Sequence, residues 1–586
     1  LKLGQIADRL ASPRGTLLCL AGLWLVLVLG QVTDCFDMNS DSARYVALAN
    51  SLATGRGYTI EGVFCRHYPP LFPLMLSTVS DPARHNFRPE ILIVAVSGLA
   101  ALLGSYWLLS ERYDGRMLLV LALLVAVSPP FVRYCTRLRS DITFMFFSVV
   151  FLAATARFWK TRTPNWAMAV IAAVSLAAAT LTRSAGLPFY VASGAWLMRP
   201  SLWRKGERGR ALLALGSLAL AAVPVVLWAL RVAASPEGTV SYVEYMFTPE
   251  HAPESASLLS RLGAMISREM WSFPRQVAFA GSTIGYVGRN SLAPLWAALF
   301  LPALCLGLAR RLRAPSPLEY AFCAYCLLIL LWPRPQGTRL WVPVVPLMLG
   351  YIADGAMGFG RIAEEFPRAG RYRWVQGLDR FLGKIRRPAV HVITTLLLLV
   401  GLTAGLDRVR DSWAERDEAV GGVLLGSDPR DVALFLNESH DGPIVMAYDR
   451  FREVVPAVTN PHVTLLAIPE IPGVSPEALL EELADAGATH VAIETRIDNP
   501  TELGRLLHGV REELLAAPEL YPVERETRYV TVFRMMPPHG RRPEAQPSAG
   551  GERGPDPEGA PDTSARRRNE GSGGPRESLL RPESDR

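Results

Sequence analysis

Apolar runs of about 15 to 24 residues recur from Thr16 to Gly405, each closed by a polar or basic turn, and as helices they match a hydrocarbon core of roughly 30 Å. The pattern predicts eleven spans, at 16–32, 90–109, 117–132, 142–156, 166–181, 186–198, 211–233, 291–309, 318–332, 340–355 and 389–405. The stretch His67 to Ser80 is apolar too. Pro69, Pro70 and Pro73 kink it, and it is too short to cross cleanly. After Asp407 the pattern turns soluble, and after Met536 it gives way to Pro, Gly, Arg and Glu. The expected architecture is a polytopic α-helical membrane protein with a small C-terminal extracytoplasmic α/β domain. Residues 1–406 form the membrane domain, with a first outer loop at 34–89. Residues 407–536 form the outer domain, and 537–586 a disordered tail too poor in apolar residues to offset the entropy of ordering.

Charge orients this pattern. The net charge of +7 does not indicate nucleic acid, because the Arg and Lys residues sit mainly in alternate loops between spans. The basic segment ahead of the first span (Lys2, Arg9, Arg14) is placed in the cytoplasm. The loop 199–210 and the long loop from Arg361 to Arg387 fall on the same side. Eleven spans then put the N-terminus inside and the soluble domain outside. The fifth and sixth spans are short, and losing one would invert everything after it. The first span lacks a small-x-small cleavage pattern and reads as a retained helix.

In the soluble part, residues 443–447 and 489–494 read as buried strands and Tyr529-Val-Thr-Val-Phe-Arg534 as a final strand. Between them, 475–487 reads as a helix with a Ser475 cap, Pro476 at its first position and a terminal glycine.

The chemistry-bearing residues collect on the outer side. Helical spacing from Asp41 places Arg44, Tyr45, Leu48, Ala49 and Leu52 on one side of a short surface helix that Gly55 and Gly57 stop. A carboxylate in a first helical turn is stabilised in its ionised form, as a base accepting a hydroxyl proton requires. A first-turn Asp without chemistry accounts for the same pattern. Asp141 lies at the outer mouth of the fourth span with Arg137 and Arg139. That cluster reads either as an interfacial salt bridge or as a second carboxylate with arginines for an anion, since guanidinium pairs with phosphate in a bidentate way. Arg66, His67, Arg183 and Arg339 share this side of the membrane. Asp37, Asn39 and Asp41 offer alternate oxygen ligands for a divalent cation, although position six of that loop is Ser42 and no distal Glu is in register. Cys35 and Cys65 bracket the loop and are candidates for a disulfide.

Three pieces of the first loop, Asp41-Ser-Ala-Arg-Tyr45, Gly55-Arg-Gly-Tyr58 and Tyr68-Pro-Pro-Leu-Phe-Pro-Leu74, together resemble the first outer loop of the GT-C glycosyltransferases. The nearest branch is the bacterial one similar to protein O-mannosyltransferases and the lipid A aminoarabinose transferase. Arg139-Ser-Asp141, Leu181-Thr-Arg183 and Arg339-Leu-Trp-Val-Pro-Val-Val-Pro346 resemble further pieces of that branch, so the likeness covers roughly 20–350. There are departures. Asp41 is followed by Ser42 where relatives carry Asp-Glu, and Tyr68 precedes the proline pair where some carry Lys. The resemblance implies an inverting transferase of the inner membrane with its site and C-terminal domain facing the periplasm or exterior. Its donor is a polyprenyl-phosphate sugar, its acceptor is a hydroxyl of unspecified origin (protein, lipid or polysaccharide), and it requires no cofactor. Asp41 and Asp141 are the candidate catalytic residues. Arg44, Tyr45, Arg66, His67, Tyr68, Arg137, Arg139, Arg183 and Arg339 are the candidate substrate-binding residues.

A transporter or flippase for lipid-linked sugar is the main alternative, and a non-catalytic membrane scaffold the second. Transporters place ionisable groups near mid-membrane. These spans read as nearly free of buried charge, and a scaffold leaves the acidic clusters without a purpose.

Overall fold

The structure, a computed structural model, describes residues 3–33, 40–60, 62–81, 86–161, 163–204, 206–235, 293–332, 337–358, 373–420, 475–485, 490–494, 502–526 and 530–534. The chain divides into two compact units, one of residues 1–427 with 456–458, the other of 428–455 with 459–586.

The first unit is helical. In chain order it holds α1 (Leu3–Leu10), α2 (Pro13–Leu27), α3 (Ser40–Ala53), α4 (Leu71–Ser77), α5 (Arg88–Ser110), α6 (Gly115–Ala126) and α7 (Pro129–Tyr134). Then come α8 (Asp141–Lys160), α9 (Trp166–Thr182), α10 (Leu187–Leu197), α11 (Arg208–Ala233), α12 (Ala293–Leu312), α13 (Pro317–Leu330), α14 (Val345–Gly358) and α15 (Arg373–Val420). The eleven apolar segments fall on helical residues, several of them in two pieces. Among the described residues, six segments are long and apolar enough to cross a bilayer: 13–31, 88–110, 141–160, 208–233, 339–358 and 392–412. Helices α6, α9 and α13 are apolar but shorter.

Local chemistry explains where helices start and stop. Ser12 caps α2 by accepting from the Gly15 amide, and Asn165 caps α9 by accepting from Met168. Ser316 and Glu319 form a reciprocal capping box at α13. The span expected at 117–132 is in fact broken. Pro129 and Pro130 cannot continue α6, which ends at Ala126, and the chain restarts as α7. The span expected at 340–355 begins as a 3-10 segment, Gly337–Val344, that contains Pro343, and only then becomes α14. The last span is part of a longer helix. α15 runs past residue 407.

Helix α3 stops because Gly55 and Gly57 take positive φ, 74° and 86°, which other residues adopt only under strain. A two-stranded hairpin follows, β1 (Thr59–Ile60) with β2 (Val63–Phe64), and α4 returns the chain towards α5. The core packs α5, α8, α9, α10, α13 and α14 with the 3-10 segment ahead of α14, and Phe144, Phe189, Tyr325, Trp341 and Tyr351 are fully buried in it. Helices α12 and α14 cross at Gly307 and Gly355. A Cβ at either would collide with the carbonyl of the facing helix, Tyr351 for Gly307 and Ala303 for Gly355. Small residues are what permit such close helix contact in a membrane.

The expectation of nearly charge-free spans is corrected at the end of the bundle opposite Asp141. Glu319, in the first turn of α13, is buried and paired with Arg112, and it accepts from the Tyr351 hydroxyl at 3.0 Å. Asp354 of α14 is buried against Arg311 at 2.6 Å. Both lie near helix ends, where Arg112 from the turn after α5 and Arg311 in the last turn of α12 reach them.

The second unit contains α16 (Pro476–Asp485), β3 (His490–Glu494), α17 (Glu502–Ala516), β4 (Val523–Glu526) and β5 (Val530–Arg534). Its strands form an antiparallel sheet in the order β3-β5-β4, with Val491 and Phe533 in register and fully buried. Ser475 stands before α16 as expected and accepts from the Ala478 amide. The strand expected at 443–447 lies outside the described residues, as does the tail.

Candidate active site

Three helix ends and one irregular segment meet at one end of the first unit. Asp41 stands in the first turn of α3 and Asp141 is the first residue of α8. Arg183 is the C-cap of α9, and Arg339 belongs to the 3-10 segment that packs on α8. The prolines around Arg339 keep that segment from becoming regular helix. Its charge is thereby held at the mouth of the bundle.

Arg339 joins the two carboxylates. Its Nη1 lies 2.7 Å from Asp41 Oδ2. Its Nη2 donates to Asp141 Oδ2 at 3.1 Å, and its Nε reaches both Asp141 oxygens at 3.3 Å. Arg183 donates to the other Asp141 oxygen, Oδ1. Two acids and two guanidiniums thus form a compact, formally neutral quartet, the arrangement that lets charge persist where water is scarce. The four are not equally accessible. The Asp141 side chain is 1% exposed, whereas Asp41 keeps 25% of its surface open. Asp41 is the carboxylate a solute can reach.

Tyrosines hold the quartet to the first loop. The Tyr68 hydroxyl donates to Asp41 Oδ1 at 2.8 Å. Tyr45 shares a hydrogen with Ser140 at 2.8 Å and packs its ring on Tyr68 and Phe72, with centroids 4.8 and 4.9 Å apart. His67 meets the Tyr68 ring edge-on at 4.7 Å. The Tyr58 hydroxyl donates to the carbonyls of Tyr68 and Pro69, at 3.0 and 3.1 Å, which fixes the turn that carries Tyr68.

Burial tends to raise the Asp41 carboxyl. The Arg339 charge and hydrogen bond, then Arg183 and Tyr68, outweigh it and lower the pKa to about 2. Burial and the Asp41 charge push the Tyr68 hydroxyl well above the phenol range, so it remains a donor.

The structure therefore unites Asp41, Asp141, Tyr45, Tyr68, Arg183 and Arg339, with His67 attached through the Tyr68 ring. Arg139 is buried and its charge acts on Asp141. Arg44 is half-buried and its charge acts on Tyr68, and Arg66 and Arg137 are half-buried close by in sequence. Ser140 was missed. A serine before an acidic helix start reads as a cap, and only tertiary contact reveals its link to Tyr45. Asp37, Asn39 and Cys35 lie outside the described residues, as therefore does the expected pairing of Cys35 with Cys65. Both Asp41 oxygens already accept from Tyr68 and Arg339, and the Arg339 charge opposes a cation. No group of three metal-ligating side chains occurs among the described residues.

Residues 67–228 match the family described as dolichyl-phosphate-mannose-protein mannosyltransferase. The fold is similar to that of ArnT from Cupriavidus metallidurans bound to undecaprenyl phosphate. The TM-score is 0.54 at 14% identity, covering 89% of this chain and 98% of that one. The same protein in the apo state matches at a TM-score of 0.53 and 16% identity, with the same coverage. No curated protein matches the sequence. The chain has the GT-C fold, that of a superfamily of membrane glycosyltransferases, as the first-loop motifs lead one to expect.

Proposed function

We propose that the protein transfers a sugar from a polyprenyl-phosphate donor to an acceptor hydroxyl, with inversion at the anomeric carbon and Asp41 as the base. The observation that carries the reading is the Asp41–Arg339–Asp141–Arg183 quartet, in which one carboxylate is open and the other is buried. The similarity to a fold that binds undecaprenyl phosphate supports the donor class.

In this scheme the acceptor oxygen attacks the anomeric carbon, and the bond from that carbon to the phosphate oxygen breaks. The bonding electrons leave with the lipid phosphate, and the hydroxyl proton passes to Asp41. A carboxylate with a pKa of about 2 is a weak base towards a free hydroxyl. It is a sufficient one once the new C–O bond has made that proton strongly acidic. Asp141 touches no substrate. It positions Arg339 and Arg183, whose charge stabilises the leaving phosphate. No step passes through a metal or an organic cofactor. Read as eleven crossings, the chain has its N-terminus inside and its C-terminus outside by the distribution of basic loops. The site then faces away from the cytoplasm across the inner membrane, where sugars arrive on lipid rather than as nucleotides.

The test supplies purified protein with polyprenyl-phosphate sugars, one at a time, and measures release of polyprenyl phosphate. Release by wild type and not by folded Asp41→Asn is expected. Equal release by both would remove Asp41 from catalysis, and release from no donor, with acceptors present, would return the transporter reading.

A further inference from the structure

The opposite end of the first unit carries a second feature, unrelated to the quartet. Helices α8, α9, α10 and α11 leave a crevice between them, floored by Ala169, Ala172, Ala173 and Ala214 and walled by Trp159 and Trp196. It lies toward the Lys160 end of α8. Its α8 lining, Phe151 to Trp159, lies about 15–27 Å along the helix from Asp141, so a phosphate at the Lys160 end cannot reach the quartet. Helix α11 borders the crevice and presents Leu212, Leu215 and Leu220 outward, so the crevice lies at the bundle's lipid-facing edge.

Some polar features around it have no use within the fold, and others are already paired. The Trp196 indole Nε1 is buried without a hydrogen-bond partner, although the ring is 8% exposed and lines the crevice. The basic groups nearby divide into two sets. Arg157 and Lys160 pair with Glu111, and Arg210 pairs with Glu207. Arg199 stacks over Trp196 at 4.5 Å and donates to the Pro315 carbonyl. Arg204 and Arg208 are exposed and belong to no ion pair among the described residues. Arg208 also opens α11, where the positive end of the helix dipole adds to its charge.

We propose that this crevice holds an acyl chain of an anionic phospholipid whose phosphodiester rests on Arg204 and Arg208. Apolar walls and small lining residues suit a hydrocarbon chain. The surplus cations select a headgroup with net negative charge over a zwitterionic one, as basic sites between transmembrane helices do.

Native mass spectrometry of the full chain, equilibrated in mixed phosphatidylglycerol and phosphatidylcholine micelles, tests this. Wild type should retain one phosphatidylglycerol in preference to phosphatidylcholine by about thirtyfold at low salt, two arginine contacts' worth. Arg204→Glu/Arg208→Glu should erase most of that preference. Ala214→Trp, which fills the crevice, should remove retention of both lipids. Equal retention by wild type would overturn the proposal, as would unchanged phosphatidylglycerol retention in both variants or preferential retention of polyprenyl phosphate. If Ala214→Trp does not fold, the double variant alters only exposed side chains and decides the matter alone.

Discussion

Arg339 is the residue on which the site turns, because one guanidinium serves two carboxylates. Replacing Arg339 with Gln removes the main counter-charge from Asp41, whose pKa should rise from about 2. The sign follows from linkage. A depressed carboxyl contributes stability above its unfolded pKa, here 3.8, and loses it as pH falls through about 2. In Arg339→Gln that contribution should be smaller and should be used up at a higher pH, and the acid limb of kcat/KM should move to higher pH as well, which a pH–rate series would detect. Asp41→Asn should lower kcat by about 10²–10⁴-fold while leaving the protein folded. Tyr68→Phe removes one hydrogen bond to a charged group and should cost about tenfold or a little more in kcat/KM. Chelation with EDTA should leave the rate unchanged, and a loss restored by added divalent cation would overturn the metal-free scheme.

At the scale of elements, the helices are held by two devices that the sequence shows only as isolated residues. The α12–α14 crossing depends on Gly307 and Gly355. Gly355→Ala should destabilise the protein by about 1–3 kcal/mol through overpacking, seen as a lower midpoint in a thermal-shift assay in detergent. The Arg112–Glu319 pair ties the turn after α5 to the start of α13, with the Glu319 side chain 1% exposed. Glu319→Ala would strand a largely buried guanidinium and should cost about 3 kcal/mol, whereas Arg116→Ala, at the exposed pair with Asp8, should cost well under 1 kcal/mol. A thermal-shift series across both variants checks the contrast.

For the whole molecule, the placement of basic loops makes one topological prediction. Single cysteines introduced at Arg56 and at Arg204 into a cysteine-free background should be labelled by an impermeant maleimide from opposite sides of sealed vesicles. Labelling from the same side would mean that the number of crossings between them is even, and the orientation proposed for the active site would fail with it. Each unit keeps its own core, Phe144, Phe189 and Tyr325 in the first and Val491 and Phe533 in the second.

Much of this was legible in the sequence. Hydrophobic run length places the helices, because a bilayer demands about twenty apolar residues per crossing whatever surrounds them. Asp41 and Asp141 stood out because acids at helix starts beside arginines are costly near a membrane unless they are used. Tertiary structure alone decided which arginines serve which acid. Arg339 lies 198 residues from Asp141 along the chain, and no local pattern encodes that contact. The contrast between a reachable Asp41 and a buried Asp141 was settled in the same way, because burial belongs to the packed assembly of α3, α8 and the 3-10 segment rather than to any one of them. The charges hidden in α13 and α14 were overlooked because an acid inside an apolar run reads as a stray polar residue until its arginine arrives from another turn.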